Sequence, residues 1–215
     1  MREKLVVMKF GGTSVEDAAA IERTAGIVQG RRGRGLETVV VVSAMAKVTD
    51  LLLAAASAAG RGDKSGALAI GARLRHRHID TATALIGAEQ FVRVQQALHQ
   101  EFDALDDLLR GISAVGELTP RTNDLVVSFG ERLSSRMVAA AFDQRGLQGA
   151  HVDARSCIVT DSNYGKAAPQ ESAIEAKLKE IVLPLIEAGK TPVLGGFIGA
   201  DAEGITTTLG RGGSD

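Results

Sequence analysis

Five consecutive residues, Thr38-Val39-Val40-Val41-Val42, are β-branched and place apolar groups on both faces of the strand they form. Such a strand must be buried on both sides, which suits the centre of a parallel sheet flanked by helices. The surrounding pattern agrees. Leu5-Val6-Val7-Met8 reads as a second buried strand, Ala150-His151-Val152 and Cys157-Ile158-Val159 as two short ones, and Thr191-Pro192-Val193-Leu194 as another. Between them lie segments of helical period. Ala18 to Val28 is one, capped by Thr13 or Ser14 and ended by a solvated basic stretch, Gly30 to Gly35. Helix also starts from Asp50, fills residues 60 to 112 with breaks near Gly60-Arg61-Gly62 and Gly87, and resumes over 121 to 145 after Pro120. Leu98, Phe102, Leu105, Leu108 and Leu109 mark a buried stripe there. Ser172-x-x-Glu175 reads as a capping box for a last helix ending near Gly189, and Glu203-Gly204 as a turn. Strands alternating with helices predict an α/β fold with a mainly parallel sheet sandwiched by helices.

Ligands in such sheets bind beyond the carboxyl ends of the strands, and the unusual loops here all follow strands. Lys9-Phe10-Gly11-Gly12-Thr13-Ser14 carries a lysine out of the first strand into a glycine turn and a helix N-terminus, a setting that favours an anion. Gly210-Arg211-Gly212-Gly213-Ser214-Asp215 brackets an arginine with glycines, leaving its guanidinium room for a bidentate grip on carboxylate or phosphate. Ser128-Phe129-Gly130-Glu131-Arg132 places a glycine inside a helix, a sign of close approach by a ligand or another backbone. Taken by itself, that segment reads Glu131 as a solvated or ion-paired side chain, with a substrate ammonium as the alternative partner.

Composition narrows the functions. With 25 Lys and Arg against 26 Asp and Glu, the net charge is −1, no footprint for nucleic acid or an anionic membrane. Seven aromatics, Phe 6 and Tyr 1, with Trp 0, leave little for base stacking. One cysteine, Cys157, excludes an internal disulfide and a multi-cysteine metal site. No apolar run is long enough to span a bilayer, and Met1-Arg2-Glu3-Lys4 leads into a strand rather than a signal-peptide core, so a cytoplasmic protein is expected. Gly189-Lys190-Thr191 fails as a Walker A motif because Pro184 takes the first glycine position. Gly11-Gly12 does not extend into a dinucleotide fingerprint. His76 and His78 point to different faces of a helix, and both are expected at the surface.

Five segments in order resemble the N-terminal catalytic portion of aspartate kinases, within the amino-acid kinase (carbamate kinase-like) superfamily. They are Lys9-Phe10-Gly11-Gly12-Thr13-Ser14, Val42-Ser43-Ala44-Met45-Ala46-Lys47-Val48-Thr49, Ser128-Phe129-Gly130-Glu131, Gly196-Phe197-Ile198-Gly199, and Thr206 through Asp215. The long helical stretch between residues 60 and 125 resembles the lysine-sensitive enzymes and those fused to homoserine dehydrogenase.

The resemblance implies phosphoryl transfer from ATP, with Mg²⁺, to the side-chain carboxylate of L-aspartate. It assigns Lys9 to the transferring phosphoryl group and Gly11, Gly12 and Thr13 to the phosphates, with Ser43 nearby. Thr49 and Glu131 would hold aspartate, with Glu131 facing its ammonium. Phe197 would pack beside the substrate, Arg211 would clamp a substrate carboxylate, Ser214 would contact substrate or phosphate, and Asp215 would orient Lys9. No protein metal ligand is implied. Family members continue well past position 215 and form homo-oligomers at full length. Residues 1–215 are therefore expected to be a partial catalytic domain, incomplete at the C-terminus. It would hold the substrate-binding part, without the nucleotide half or regulatory domains, and would have little activity alone. Rival expectations are a related kinase acting on glutamate, acetylglutamate, carbamate or a nucleoside monophosphate, and a non-catalytic amino-acid-binding or assembly module.

Overall fold

A computed structural model describes residues 5–210. Arg211, Ser214 and Asp215 lie outside the described residues. A four-stranded sheet, wholly parallel, forms the centre, in the order β1 (Leu5–Phe10), β2 (Glu37–Val42), β4 (Thr191–Gly195), β3 (Gly149–Val152). The valine run occupies β2, an inner strand, as its two apolar faces require. Its side chains divide between two cores. Val40 and Val42 join the larger core with α1 (Ala18–Arg32), α2 (Val48–Gly60), α3 (Lys64–Leu85), α4 (Ala88–Val115) and α5 (Pro120–Gln144). Val39 joins the smaller one on the opposite face, with Leu194, Val182 and Ile186, under α6 (Glu171–Ile181) and α7 (Leu183–Glu187). The predicted sandwich is thus present. A separate antiparallel pair, β5 (Ile198–Ala200) and β6 (Thr206–Thr208), follows β4.

Helix α4 buries Leu98, Phe102, Leu105 and Leu109 completely, and the breaks predicted near Gly60–Gly62 and Gly87 fall at the ends of α2 and α3. Among the described residues no helix is long and apolar enough to cross a membrane.

Several local expectations are corrected. β1 is an edge strand, so Leu5 and Val7 are exposed rather than buried. Neither Thr13 nor Ser14 caps α1. Gly12–Ser14 forms a 3₁₀ turn, and Asp17 caps the helix by accepting from the Ala20 N–H at 2.7 Å. The helix runs on to Arg32, whose guanidinium leaves the solvated stretch to donate to Thr191 Oγ1 and the Gly189 carbonyl. Cys157-Ile158-Val159 is not a strand. The Asp153 carboxylate caps a 3₁₀ turn over Ala154–Ser156, drawing the Cys157 and Ile158 N–H groups to the Ala154 carbonyl, and only Val159 bridges to Ala200. Ser172 is not a helix cap. Gln170 takes that place, held by Val159 and Thr160 carbonyls, so Ser172 falls inside α6. The helix predicted to reach Gly189 is divided at Val182, ahead of Pro184. His78 is fully buried on α3 against Phe102, whereas His76 is exposed. Desolvation holds the His78 imidazole down at about 4.

Candidate functional site

Three strands of the sheet end side by side, and their loops interlock. The Ser43 N–H donates to the Phe10 carbonyl at 3.0 Å, and the Gly196 N–H to the Val42 carbonyl at 2.8 Å. The turn after β1 then meets the loop after β2, with Ala46 N–H donating to the Gly12 carbonyl at 3.1 Å. A side chain on Gly12 would stand 2.9 Å from the Ala44 carbonyl oxygen, so only a glycine fits; Gly11, by contrast, faces open space. Arg77, on α3, spans the two loops by donating to the Ala46 and Glu16 carbonyls at 2.7 and 2.8 Å.

Helix α5 closes this arrangement from the core side, and glycines let it come close. A Cβ on Gly130 would lie 2.7 Å from the Ala44 Cβ, and one on Gly195 would lie 2.8 Å from the Glu131 Cβ. The close approach predicted at Gly130 is therefore real, and its partner is the Ser43–Thr49 loop. Ser134 fixes the same loop by donating to the Ser43 carbonyl at 2.8 Å.

Glu131 is the chemical centre of the contact. It is 3% exposed, and its Oε1 accepts from the Ala44 N–H at 3.1 Å. Its Oε2 is buried with no hydrogen-bond partner among the described residues. The solvated or ion-paired glutamate expected from the segment alone is thus not what forms. Burial drives the carboxyl up to about 7, with the Ala44 N–H opposing the shift. An oxygen in that state is a standing cost unless something cationic reaches it.

The remaining site candidates among the described residues lie at or just past the ends of β1, β2 and β4. Lys9 is exposed near the end of β1, in register with Val41, and Gly11 to Thr13 follow in the turn. Ser43 and Thr49 flank the Ala44 contact, Thr49 in the first turn of α2. That turn is entered through Lys47, held at φ 67°, a left-handed conformation uncommon for a side-chain-bearing residue. Phe197, just past β4, is a second case at φ 64°, and its carbonyl accepts from the Leu209 N–H at 2.9 Å. Two left-handed non-glycine residues in loops that meet at one place mark a shaped rim. Arg211, Ser214 and Asp215 are not among the described residues, although β6 and Gly210 carry the chain to them.

Sequence reasoning passed over two residues here. Arg77 gave no signal, since it is one basic residue on a long polar helix. Asp124 did give one: it lies seven residues before Glu131, on the same face of α5. It is 1% exposed and accepts hydrogen bonds from Gly165 and Thr208.

A parallel sheet with a lysine and a glycine turn at its strand ends, closed by a helix bearing a buried, half-satisfied carboxylate, is the kind of α/β arrangement in which small molecules bind at the carboxyl edge. The match is specific: the chain belongs to the amino acid kinase family, which accounts for residues 4–215. It is 34% identical to the chloroplastic aspartokinase 2 of Arabidopsis thaliana, over 100% of this chain and 39% of that protein. It is 33% identical to the lysine-sensitive aspartokinase 3 of Escherichia coli K12, over 99% of this chain and 44% of that one. The crystal structure of E. coli aspartokinase III with aspartate and ADP superimposes with a TM-score of 0.86 at 29% identity, covering 99% of this chain and 44% of that chain. The chain thus spans less than half the length of these relatives.

Proposed function

We propose that the chain is the amino-acid-binding part of a kinase catalytic domain that moves the terminal phosphoryl group of ATP to the β-carboxylate of L-aspartate. The single observation that carries this reading is the buried Oε2 of Glu131, unpartnered among the described residues. A carboxylate oxygen held dry at the junction of three loops is complementary to a ligand's ammonium group, and α-amino acids bring one. The likeness to aspartokinases, including one solved with aspartate and ADP, supports aspartate as the amino acid.

The roles of the chain's residues follow from charge. An aspartate side chain has a pKa near 3.9, so it is already an ionised nucleophile at neutral pH and needs no general base. The obstacle is bringing a carboxylate up to a polyanion. Lys9 offsets that repulsion, and the bare backbone of Gly11, Gly12 and Thr13 lets the phosphates approach. The open space at Gly11 fits this use. MgATP supplies the phosphoryl group, with the ion travelling as the nucleotide's own counter-charge. Glu131 and Thr49 orient the amino acid, Ser43 and Ser214 contribute hydroxyls, Phe197 covers the substrate, Arg211 holds a carboxylate, and Asp215 orients Lys9. The relatives' additional length supplies room for further nucleotide contacts, regulatory domains and assembly into homo-oligomers.

Titration calorimetry of the chain with L-aspartate and with succinate tests the reading. Succinate keeps both carboxylates and lacks the ammonium. It should bind about tenfold or more weaker than aspartate, the value of a charge-assisted hydrogen bond to a buried group. Equal affinities, or no aspartate binding, would overturn the proposal. A non-catalytic amino-acid-binding module would bind aspartate yet show no affinity for ATP in the same instrument.

A further inference from the structure

The loop after β2 turns sharply at Met45–Val48. The turn lies between the Ala44 N–H that meets Glu131 and Thr49 in the first turn of α2. The Val48 N–H closes it on the Met45 carbonyl at 2.9 Å, and Lys47 stands at φ 67° and ψ 0°. That is the conformation of the third residue of a type II turn, a place that suits glycine. A type I turn with the same ends would put Lys47 at negative φ, where a side chain sits without strain. The two types differ by a flip of the peptide joining the central residues, here Ala46 and Lys47. The chain thus holds the flip that Lys47 disfavours, and a partner outside the turn has to select it.

That partner is Arg77. The flip sets the direction of the Ala46 carbonyl, and this oxygen accepts from the Arg77 guanidinium at 2.7 Å. Turning the peptide over would break that bond and leave a partly buried donor unpaired. The Ala46 N–H is fixed separately, on the Gly12 carbonyl at 3.1 Å. The other arm of the guanidinium donates to the Glu16 carbonyl at 2.8 Å, just past the Gly12–Ser14 turn. A rigid planar fork holds the two carbonyls at a set spacing, which a single ammonium would not do.

We infer that Arg77 is a positioning residue for the amino-acid site: it selects the flipped Ala46–Lys47 peptide, and so holds the loop carrying Ala44 and Thr49 against the turn after β1. The inference rests on the amino-acid-binding reading above. Arg77 acts through the loop, by keeping one of its two conformations populated.

The test reads conformation and affinity side by side. In a type II turn the Ala46 Hα lies close to the Lys47 N–H, giving a strong nuclear Overhauser effect that a type I turn weakens. Arg77→Met keeps most of the aliphatic stem and removes both donors. In that variant the signal should fall about threefold or more, and the L-aspartate Kd, measured by calorimetry, should rise by the same factor, because only the flipped fraction is competent. Signals within β2 should not change. Glycine accepts the left-handed conformation without a partner, so in a Lys47→Gly background Arg77→Met should alter affinity by less than about twofold. Arg77→Gln, too short to span both carbonyls, serves where the methionine variant fails to fold and should show the same changes. A folded variant that keeps the parent's Ala46–Lys47 signal overturns the inference. So does a lost signal with unchanged aspartate affinity, and so does an equal affinity loss with and without Lys47→Gly. Absence of aspartate binding by the parent chain would instead sink the amino-acid-binding reading, and the Ala46–Lys47 signal alone would then decide whether Arg77 selects the flip.

Discussion

Glu131→Gln separates what the buried carboxyl does for the ligand from what it costs the fold. In the native chain the carboxyl is raised from 4.5 to about 7 by desolvation. A raised pKa means that the folded state holds its proton where the unfolded state has lost it. The contribution of Glu131 to stability is therefore fully present below pH 4.5 and is lost as pH rises through 7. A shift of this size corresponds to about 3 kcal/mol at pH 8, most of it already lost by pH 7. Glutamine stays neutral throughout. It keeps an acceptor for the Ala44 N–H and places an amide donor where Oε2 now has no partner, a penalty that does not vary with pH.

The assay is urea unfolding of both chains from pH 4.5 to 8. His78 and His151 titrate in this range too, with the opposite sign, because burial lowers each to about 4. Both are common to the two chains and cancel in the difference. The variant should gain about 3 kcal/mol on the parent between the ends of the range, while its aspartate affinity collapses. Difference curves flat to within about 0.5 kcal/mol would refute the argument that Glu131 is buried and uncompensated. The same reasoning sets a proton count. A ligand ammonium restores the carboxylate, so binding at pH 7 should expel about half a proton, read from calorimetry in two buffers of different ionisation enthalpy. Proton uptake would contradict an ammonium at Oε2.

Gly130→Ala should destabilise the chain by about 1 kcal/mol or more despite the better helix former, because its Cβ would meet the Ala44 Cβ at 2.7 Å. Adding Ala44→Gly should recover most of the loss, and a denaturation cycle showing no coupling between the two would dismiss the contact. His78→Leu should flatten the acid side of the stability profile: the parent's neutral imidazole is lowered from 6.5 to about 4, so stability present above pH 6.5 is lost as pH falls through 4, by up to about 3 kcal/mol. An unchanged acid limb in the leucine variant would mean the imidazole is not the group being forced to charge.

The strands were legible because two-faced apolar runs have few alternatives, and β2 and β4 stand where the valine run and Thr191-Pro192-Val193-Leu194 place them. The strand-end loops were legible for the same reason: lysine and glycine clusters directly after strands are rare without a use. What could not be read was single-residue burial inside helices. His78 looks like a surface residue in one dimension and becomes core only because α4 covers it, while Asp124 shares a helix face with Glu131 but is covered by the Gly165 loop and β6, which come from far along the chain. Capping failed at Ser172 for a related reason. A local motif competed with long-range carbonyls from Val159 and Thr160, and the long-range partners won. The edge position of β1 was equally invisible, since Leu5 and Val7 are as apolar as inner-strand residues and exposed only through their place in the sheet order.

Helix α5 carries two buried carboxylates on one face, and the difference between them is informative. Among the described residues Asp124 accepts from two backbone N–H groups and a hydroxyl, whereas Glu131 Oε2 has no partner, yet both side chains are almost wholly buried. A core that could satisfy one carboxylate with backbone N–H groups had the means to satisfy the second, or to replace it with a neutral residue at a gain of about 3 kcal/mol above pH 7. Neither has happened at Glu131, and three glycines, at 12, 130 and 195, keep the backbones close enough to seal it in. The completed carboxylate therefore holds structure, whereas the incomplete one is free for the role proposed above, an acceptor for a ligand's ammonium. On this argument the stability gained by Glu131→Gln and the affinity it loses are two measurements of the same unpartnered oxygen, and they should rise and fall together across any series of substitutions that changes how deeply Glu131 is buried.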